Sequence, residues 1–407
     1  MTNITVKTAI AEHRNGNTPE ALRQFRLLAT PEDSHACYAL GYFLIEVLKE
    51  PSFYEEGWAS INNASKAGNG DAKEFIAWHK LYGTILKKEP QEALKIFKNL
   101  ADEGSVSAMA NIGFAYSSDD FGLKDLKIAT EWYEKAANLG DSESQFQLAI
   151  LQLSEKSVYD ISKAIQNLFY LTQNGNADAA YELGRVYYTS NGVDEDNEKA
   201  IEYFQIAYDL GSMEAAGELG FIYLTGDHVQ KNEVKGFELI MQAAESGNAL
   251  AQYQLGSCYE YGEGCEESVE HAEFWYQKAA EQGNAAAMRN LGSLKCNWFN
   301  SVIDPSYLQY TIKAAKMGDV LALKHLGCHH LEGRVVPQSN LKAMALFMLG
   351  ETLSDATPVI QQDLKSRKEM LAEKISKKER EDIEKKVAYA ANLHSKNAEW
   401  LNSILKD

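Results

Sequence analysis

The stretch Gly247–Gly264, GNALAQYQLGSCYEYGEG, decides how the rest of the chain is read. Its closing Gly262-Glu263-Gly264 is either half of a phosphate-cradling glycine loop or punctuation between helices, and a search for further copies separates the two. Sliding GNALAQYQLGSCY along the chain finds GSVSAMANIGFAY from Gly104, GDSESQFQLAILQ from Gly140 and GNADAAYELGRVY from Gly175. It also finds GSMEAAGELGFIY from Gly211, GNAAAMRNLGSLK from Gly283 and GDVLALKHLGCHH from Gly318. Successive anchors lie 36, 35, 36, 36, 36 and 35 residues apart. More degraded copies, GNGDAKEFIAWHK from Gly68 and EDSHACYALGYFL from Glu32, extend the period to nine units running from about Glu32 to about Gly350.

Each unit reads as helix, turn, helix. Ala215, Leu219, Gly220 and Tyr223 recur at spacings that gather them on one face at a 3.6-residue period. The alanine and glycine let a second helix come close, and the tyrosine fills the far end of the seam. That second helix is written in AIEYFQIAYDLG (Ala200–Gly211), AEFWYQKAAEQG (Ala272–Gly283) and ATEWYEKAANLG (Ala129–Gly140), each with an aromatic and alanine stripe and a terminal glycine. A glycine there predicts a left-handed helix stop. One such pair cannot bury its apolar face alone, so neighbouring pairs must stack.

These residues resemble the Sel1-like repeat family, which is related to tetratricopeptide repeats. The resemblance rests on the 36-residue period, the GxxxAxxxLGxxY helix, the turns YLTG and YEYGEG, and the WYxKAAxxG helix. It implies an all-α, right-handed α/α solenoid of about nine repeats with a C-terminal helical cap. The expected organisation is an opening helix within residues 1–31, supplied by TPEALRQFRLLA, repeats over 32–350, and capping helices over 351–407. Ser376 is placed to cap the last helix, whose apolar stripe of Ile383, Val387, Ala390, Ala391 and Trp400 would cover the exposed end of the stack. The fourth unit carries Ala149 and Gln152 where glycine and tyrosine are expected, and the second carries Ala77 and Lys80, so packing should change at those two joints.

The 407 residues are 45% hydrophobic with only 7 prolines, a globular composition, and carry a net charge of −18. The excess is concentrated: Asn176–Trp275 has 20 Asp and Glu against 4 Lys and Arg, net −16. Such a stretch repels nucleic-acid phosphates and attracts basic proteins, or serves only as a solvated face. The start, MTNITVKTAIAEHRNG, lacks the apolar core of a secretory signal and no run approaches a membrane span, so a cytoplasmic location is expected, with no membrane partner. The cysteines Cys37, Cys258, Cys265, Cys296 and Cys328 show no CxxC spacing and are expected to stay reduced.

The repeat register also tests the chemical candidates. Gly262 and Gly264 align with Gly226 and Gly333 at the ends of first helices, with no strand before them, so they make no phosphate loop. In KHLGCHHLEG, His325 and His329 lie four apart with Cys328 and His330 beside them, a possible metal face. Yet His330 stands where other units place the seam tyrosine and His329 where Ile222 and Cys258 stand, which makes them packing residues. The carboxylate pairs fall in inter-helix turns, where they are solvated or cap helices. No catalytic residues, metal site or cofactor is expected.

A repeat stack acts through its surface. On the first helix, the residues three before, one after and four after the LG glycine vary between units while the seam does not, and in tetratricopeptide folds that side faces a groove. Alongside Tyr38 and Tyr42, this set nominates Trp78, Phe114, Tyr181, Arg185, Tyr188, Phe221, Tyr253, Glu260, Arg289 and Lys324 as partner-binding residues, rich in the types that anchor interfaces. The competing reading is that some of them pack against the next unit. Because the acidic stretch coincides with Tyr181, Phe221 and Tyr253, the expected partner is a basic protein or peptide. The resemblance extends to adaptors and scaffolds and to bacterial immunity proteins that neutralise an effector. The expected function is thus a non-enzymatic protein-binding solenoid, most specifically a cytosolic inhibitor of a basic toxin. A regulatory or assembly adaptor is the alternative, and a metal-dependent or hydrolytic activity in the groove a third.

Overall fold

The dipeptides GN, GS and GD that begin eight of the nine copies of the repeat each do the same local work. Gly247 holds φ +100°, and Asn248 then accepts a hydrogen bond from the Ala251 N–H at 2.9 Å. The pairing recurs at Ser105 with Ala108, Ser212 with Ala215 and Asp319 with Ala322. A left-handed glycine ends one helix, and the polar residue after it satisfies an amide the next helix would leave orphaned.

The computed structural model describes residues 4–190, 193–295, 305–333, 336–353 and 356–393, which hold 22 α-helices and no strand. The chain divides into two compact units, Met1–Ala179 and Ala180–Asp407. In the first, Val6–Arg14 and Thr18–Leu28 precede the pairs Ser34–Tyr42 with Tyr54–Lys66, Gly70–Tyr82 with Pro90–Asp102, Val106–Ser117 with Leu126–Asn138, and Ser142–Ser154 with Ile161–Gln173. The second takes over within Ala177–Tyr188, which pairs with Asn197–Asp209. There follow Met213–Thr225 with Glu233–Glu245, Ala249–Tyr261 with Val269–Glu281, Ala285–Lys295 with Pro305–Lys316, and Val320–Glu332 with Asn340–Glu351. Helices Pro358–Ala372 and Lys377–Leu393 close the order.

The seam glycine fixes the pairing within a unit. Gly41, Gly113, Gly184, Gly220, Gly256 and Gly327 each face the residue twenty positions on, respectively Ile61, Tyr133, Phe204, Ile240, Tyr276 and Phe347. A methyl group added to any of these glycines would stand no more than 2.7 Å from that side chain. The missing Cβ is therefore what admits the large side chain of the second helix into a close-packed core. The seam tyrosines are half-buried, and cations cover their rings: Lys235 lies 3.9 Å from the Tyr223 centroid and Lys199 5.3 Å from that of Tyr187.

The two degenerate joints differ in kind. Ala77 and Phe97 are both fully buried, so the second unit keeps the seam geometry with an alanine. In the fourth unit, Ser144 stands where Ala215 and Ala251 stand, and Gln152 replaces the tyrosine. Ser144 is fully buried and Gln152 nearly so, and neither Ser144 Oγ nor Gln152 Oε1 has a hydrogen-bond partner among the described residues. Ser144→Ala and Gln152→Leu are each expected to raise stability by about 1 kcal/mol, the desolvation cost of an unpaired polar group. Urea denaturation measures this, and unchanged midpoints would mean that ordered water already satisfies both atoms.

At the N-terminus the structure has two helices where the sequence predicted one. The extra helix, Val6–Arg14, starts at a capping box between Thr5 and Thr8 and buries Ala9 against its neighbour. At the other end Ser376 and Glu379 form the predicted cap, with the Glu379 N–H donating to Ser376 Oγ at 3.3 Å and the Ser376 N–H to the Glu379 carboxylate at 3.0 Å. Leu364, Leu371, Ile383 and Val387 are buried against the last repeat. The side chains of Ala390, Ala391 and Trp400 lie outside the described residues.

Candidate functional site

The nominated residues separate into rows once the helices are in place. Residues three before, one after and five after the seam glycine form an i, i+4, i+8 row along the first helix. Its first member turns toward the next unit. Tyr181 donates to Glu218 Oε1 at 3.4 Å, and Glu74, at the same position three repeats earlier, accepts from Asn111 Nδ2 at 2.7 Å. Both links span 37 residues and join a residue three before one seam position to the residue two before the next. Arg289 likewise reaches Asp319, the N-cap of the next repeat's first helix, at 3.2 Å, and Lys324 reaches Asp363 at 2.8 Å. Arg289 and Lys324 are thus committed to ion pairs within the chain.

The exposed aromatic residues of the row lie at its middle and last positions, although Trp78 and Phe114 are half-buried. Phe221 is 42% exposed and the Arg185 side chain 52%, the latter paired with Glu182 at 3.0 Å. In the first unit, Trp78 stacks on Tyr82 at 5.4 Å and meets Phe114 at 5.7 Å, and Phe114 packs on Phe121 at 5.9 Å. Tyr82 and Tyr261, five after their seam positions, are 45% and 65% exposed. Neither was nominated from sequence, although extending the i, i+4 row by one helical turn would have found both.

In the second unit, the helix Ala177–Tyr188 is bonded to Glu218 on Met213–Thr225 and to Asp227 just beyond its end. Tyr181 reaches Glu218, and Tyr188 Oη donates to Asp227 Oδ2 at 2.8 Å. Both tyrosines have pKa values pushed up to about 12, first by burial and then by these carboxylates. Burial also raises the Glu218 carboxyl, opposed by the Tyr181 hydroxyl and by the Arg185 charge. At 3.4 Å the Tyr181 bond is long for an O–H···O contact, so Glu218 is a desolvated acceptor only weakly satisfied. Further along, Glu260 accepts from the buried Tyr276 hydroxyl at 2.6 Å, Asn290 Nδ2 donates to that hydroxyl at 3.1 Å, and Tyr253 lies 5.9 Å from the Tyr276 ring. Sequence reasoning also missed Glu182 and Glu218. The signal was present as a row of polar residues two before the seam glycine: Asn111, Gln147, Glu182, Glu218, Gln254, Asn290 and His325.

The histidine cluster is packing. His329 and His330 are buried, and His330 Nδ1 lies 3.2 Å from the Pro337 carbonyl oxygen. Burial lowers the pKa of both His325 and His330. Among the described residues, no three His, Cys, Asp or Glu side chains stand close enough to hold a metal ion, and no helix is long and apolar enough to cross a membrane.

Stacked helix pairs presenting variable side chains from a recurring seam define an α/α repeat protein of the protein-interaction class. Sel1 repeats match residues 34–46, 71–105, 106–141, 177–212, 214–248, 249–284 and 320–349, more than half of the chain, which belongs to the Sel1 repeat family. The structure is similar to that of a Sel1 repeat protein from Oxalobacter formigenes, with a TM-score of 0.61 and 26% identity over 80% of this chain and 94% of that one. In sequence it is 28% identical to human Protein sel-1 homolog 2 over 29% of the chain. It is 30% identical to the Arabidopsis thaliana ERAD-associated E3 ubiquitin-protein ligase component HRD3A over 38% of the chain. The matches span only 17% and 25% of the lengths of those two relatives.

Proposed function

We propose that this chain is a non-enzymatic binding protein whose second unit holds a basic protein partner, and that it acts in the cytoplasm as an inhibitor of a basic effector toxin. The observation that carries the reading is the pair of tyrosine-held carboxylates, Glu218 and Asp227, beside the exposed Phe221. A partly desolvated carboxylate with one weak donor gains from an incoming lysine or arginine, and the aromatic ring beside it supplies apolar area and a cation–π face. The surrounding net charge of −16 over Asn176–Trp275 would steer such a partner at long range and repel nucleic acid. Tyr181, Arg185, Tyr188, Phe221, Tyr253 and Glu260 are the contacts proposed in this unit, and Trp78 and Phe114 those in the other.

An assembly adaptor is the second reading, favoured by the plant relative named as a ligase component. Co-expression separates the two. If the protein is an inhibitor, it restores growth to cells producing the toxic product of the neighbouring gene, and Phe221→Ala weakens the rescue. A purified complex with endogenous proteins and no rescue would favour the adaptor.

A further inference from the structure

We propose that the first unit carries a separate docking site of opposite chemistry: an apolar cleft that accepts a partner segment presenting large aliphatic side chains and a carboxylate. The cleft, of about 420 Å³, lies between Val6–Arg14 and the first repeat, with Ile10, Phe25, Tyr38, Tyr42, Phe43 and Val47 among its walls. That volume is within the range of about 300–1,000 Å³ usual for ligand clefts.

The first helix of this repeat ends differently from those that close on a glycine. Six residues after the seam position, Gly83, Gly226, Gly262 and Gly333 end their first helices at φ between +69° and +74°. In the first repeat that position is Val47, whose branched Cβ makes the left-handed cap costly. The chain instead widens into one π turn, Phe43–Leu48, and reverses only at Lys49, with φ +56°. The i to i+5 bonding of a π turn sets residues five apart in one row, so Tyr42 and Val47 both line the cleft while remaining 44% and 42% exposed. Ile10 across from them is 38% exposed. Large apolar side chains gathered in a concavity and left open to water mark a surface that a partner covers.

Charge selects the partner. In a chain with 58 Asp and Glu, none lines this cleft. Arg14 stands at its rim, exposed and without an ion pair among the described residues. The carboxylates nearest in sequence to the cleft's charged rim and π turn are engaged elsewhere, Glu12 with Asn17 and Glu46 with His79. His13 is fixed edge-on to Phe43 at 5.1 Å, with Nδ1 3.0 Å from Thr18 Oγ1. A free guanidinium beside an apolar hollow takes a carboxylate, which the acidic second unit would repel.

The test uses the full chain and anilinonaphthalene sulfonate, a fluorescent apolar anion. Saturable binding is expected, weakened about tenfold by Arg14→Glu and at least as much by Val47→Asp, and unaffected by Glu218→Lys in the other unit. Thermal melts confirm that the variants fold. Peptides selected by display against the protein and displaced by the dye are expected to combine leucine or isoleucine with glutamate or aspartate. Dye binding equal in all variants, or selected peptides that are basic or that the dye does not displace, would overturn the proposal.

Discussion

Gly264→Ala is expected to destabilise the protein by about 3 kcal/mol, one to two from the left-handed backbone and the rest from a backbone collision. Gly264 holds φ +76°, and a Cβ there would collide with the Glu233 carbonyl oxygen and stand 2.8 Å from Phe237 Cβ. The turn of one repeat is thus laid directly on the second helix of the repeat before it, and only a residue without a side chain lets the backbones meet. Gly16 provides the control, since it has φ +83° with nothing within 4 Å of its added Cβ. Gly16→Ala is expected to cost about 1–2 kcal/mol, the conformational term alone. Chemical denaturation of both variants measures the difference; equal losses would show that the docked turn contributes nothing to stacking.

Reversing Glu182, Glu218 and Asp227 together to lysine is expected to weaken a basic partner's binding at least about a hundredfold, equivalent to about 2.7 kcal/mol. Affinity of the unaltered protein should fall steeply with added salt. Binding insensitive to both the reversal and salt would reduce the acidic stretch to a solubility device. Glu218 carries an additional signature. Its folded-state carboxyl is raised by burial, so the folded state favours the proton, and stability is lost as pH climbs from the ordinary carboxylate value through the raised one. Glu218→Gln is therefore expected to raise the melting temperature at pH 7 and leave it unchanged at about pH 3, below the ordinary carboxylate pKa, while weakening partner binding. A variant that melts at the same temperature as the unaltered protein at both pH values would mean that Glu218 carries no stored cost for a partner to relieve.

Legibility from sequence followed the range of the interaction. The seam could be read because Gly220 and Ile240 belong to one unit and repeat with a period, as do the capping dipeptides such as Gly247-Asn248. The nominated residues could not be sorted by sequence into open and committed ones. Arg289 and Lys324 share a register with Tyr181 and Tyr253, and nothing local distinguishes a residue facing a partner from one facing Asp319 or Asp363 on a following helix. Tyr82, Tyr261, Glu182 and Glu218 were missed because periodicity identifies a face, whereas exposure along that face depends on how each unit is rotated against the next. The π turn at Phe43–Leu48 escaped for a related reason: Val47 reads as one more apolar helix residue until the missing glycine is weighed against its neighbours in other repeats.

By itself the amino-acid sequence determined the repeat, its helix pairs, their caps, the seam and the elimination of a phosphate loop at Gly262-Glu263-Gly264, because each depends on residues close in the chain or on a regular period. Only the tertiary structure decided which variable residues remain open, which are tied to the next unit, and that Gly264 rests against Glu233. Those outcomes depend on distances between helices some 30 residues apart, set by side-chain volumes summed across the whole interface and written in no single unit.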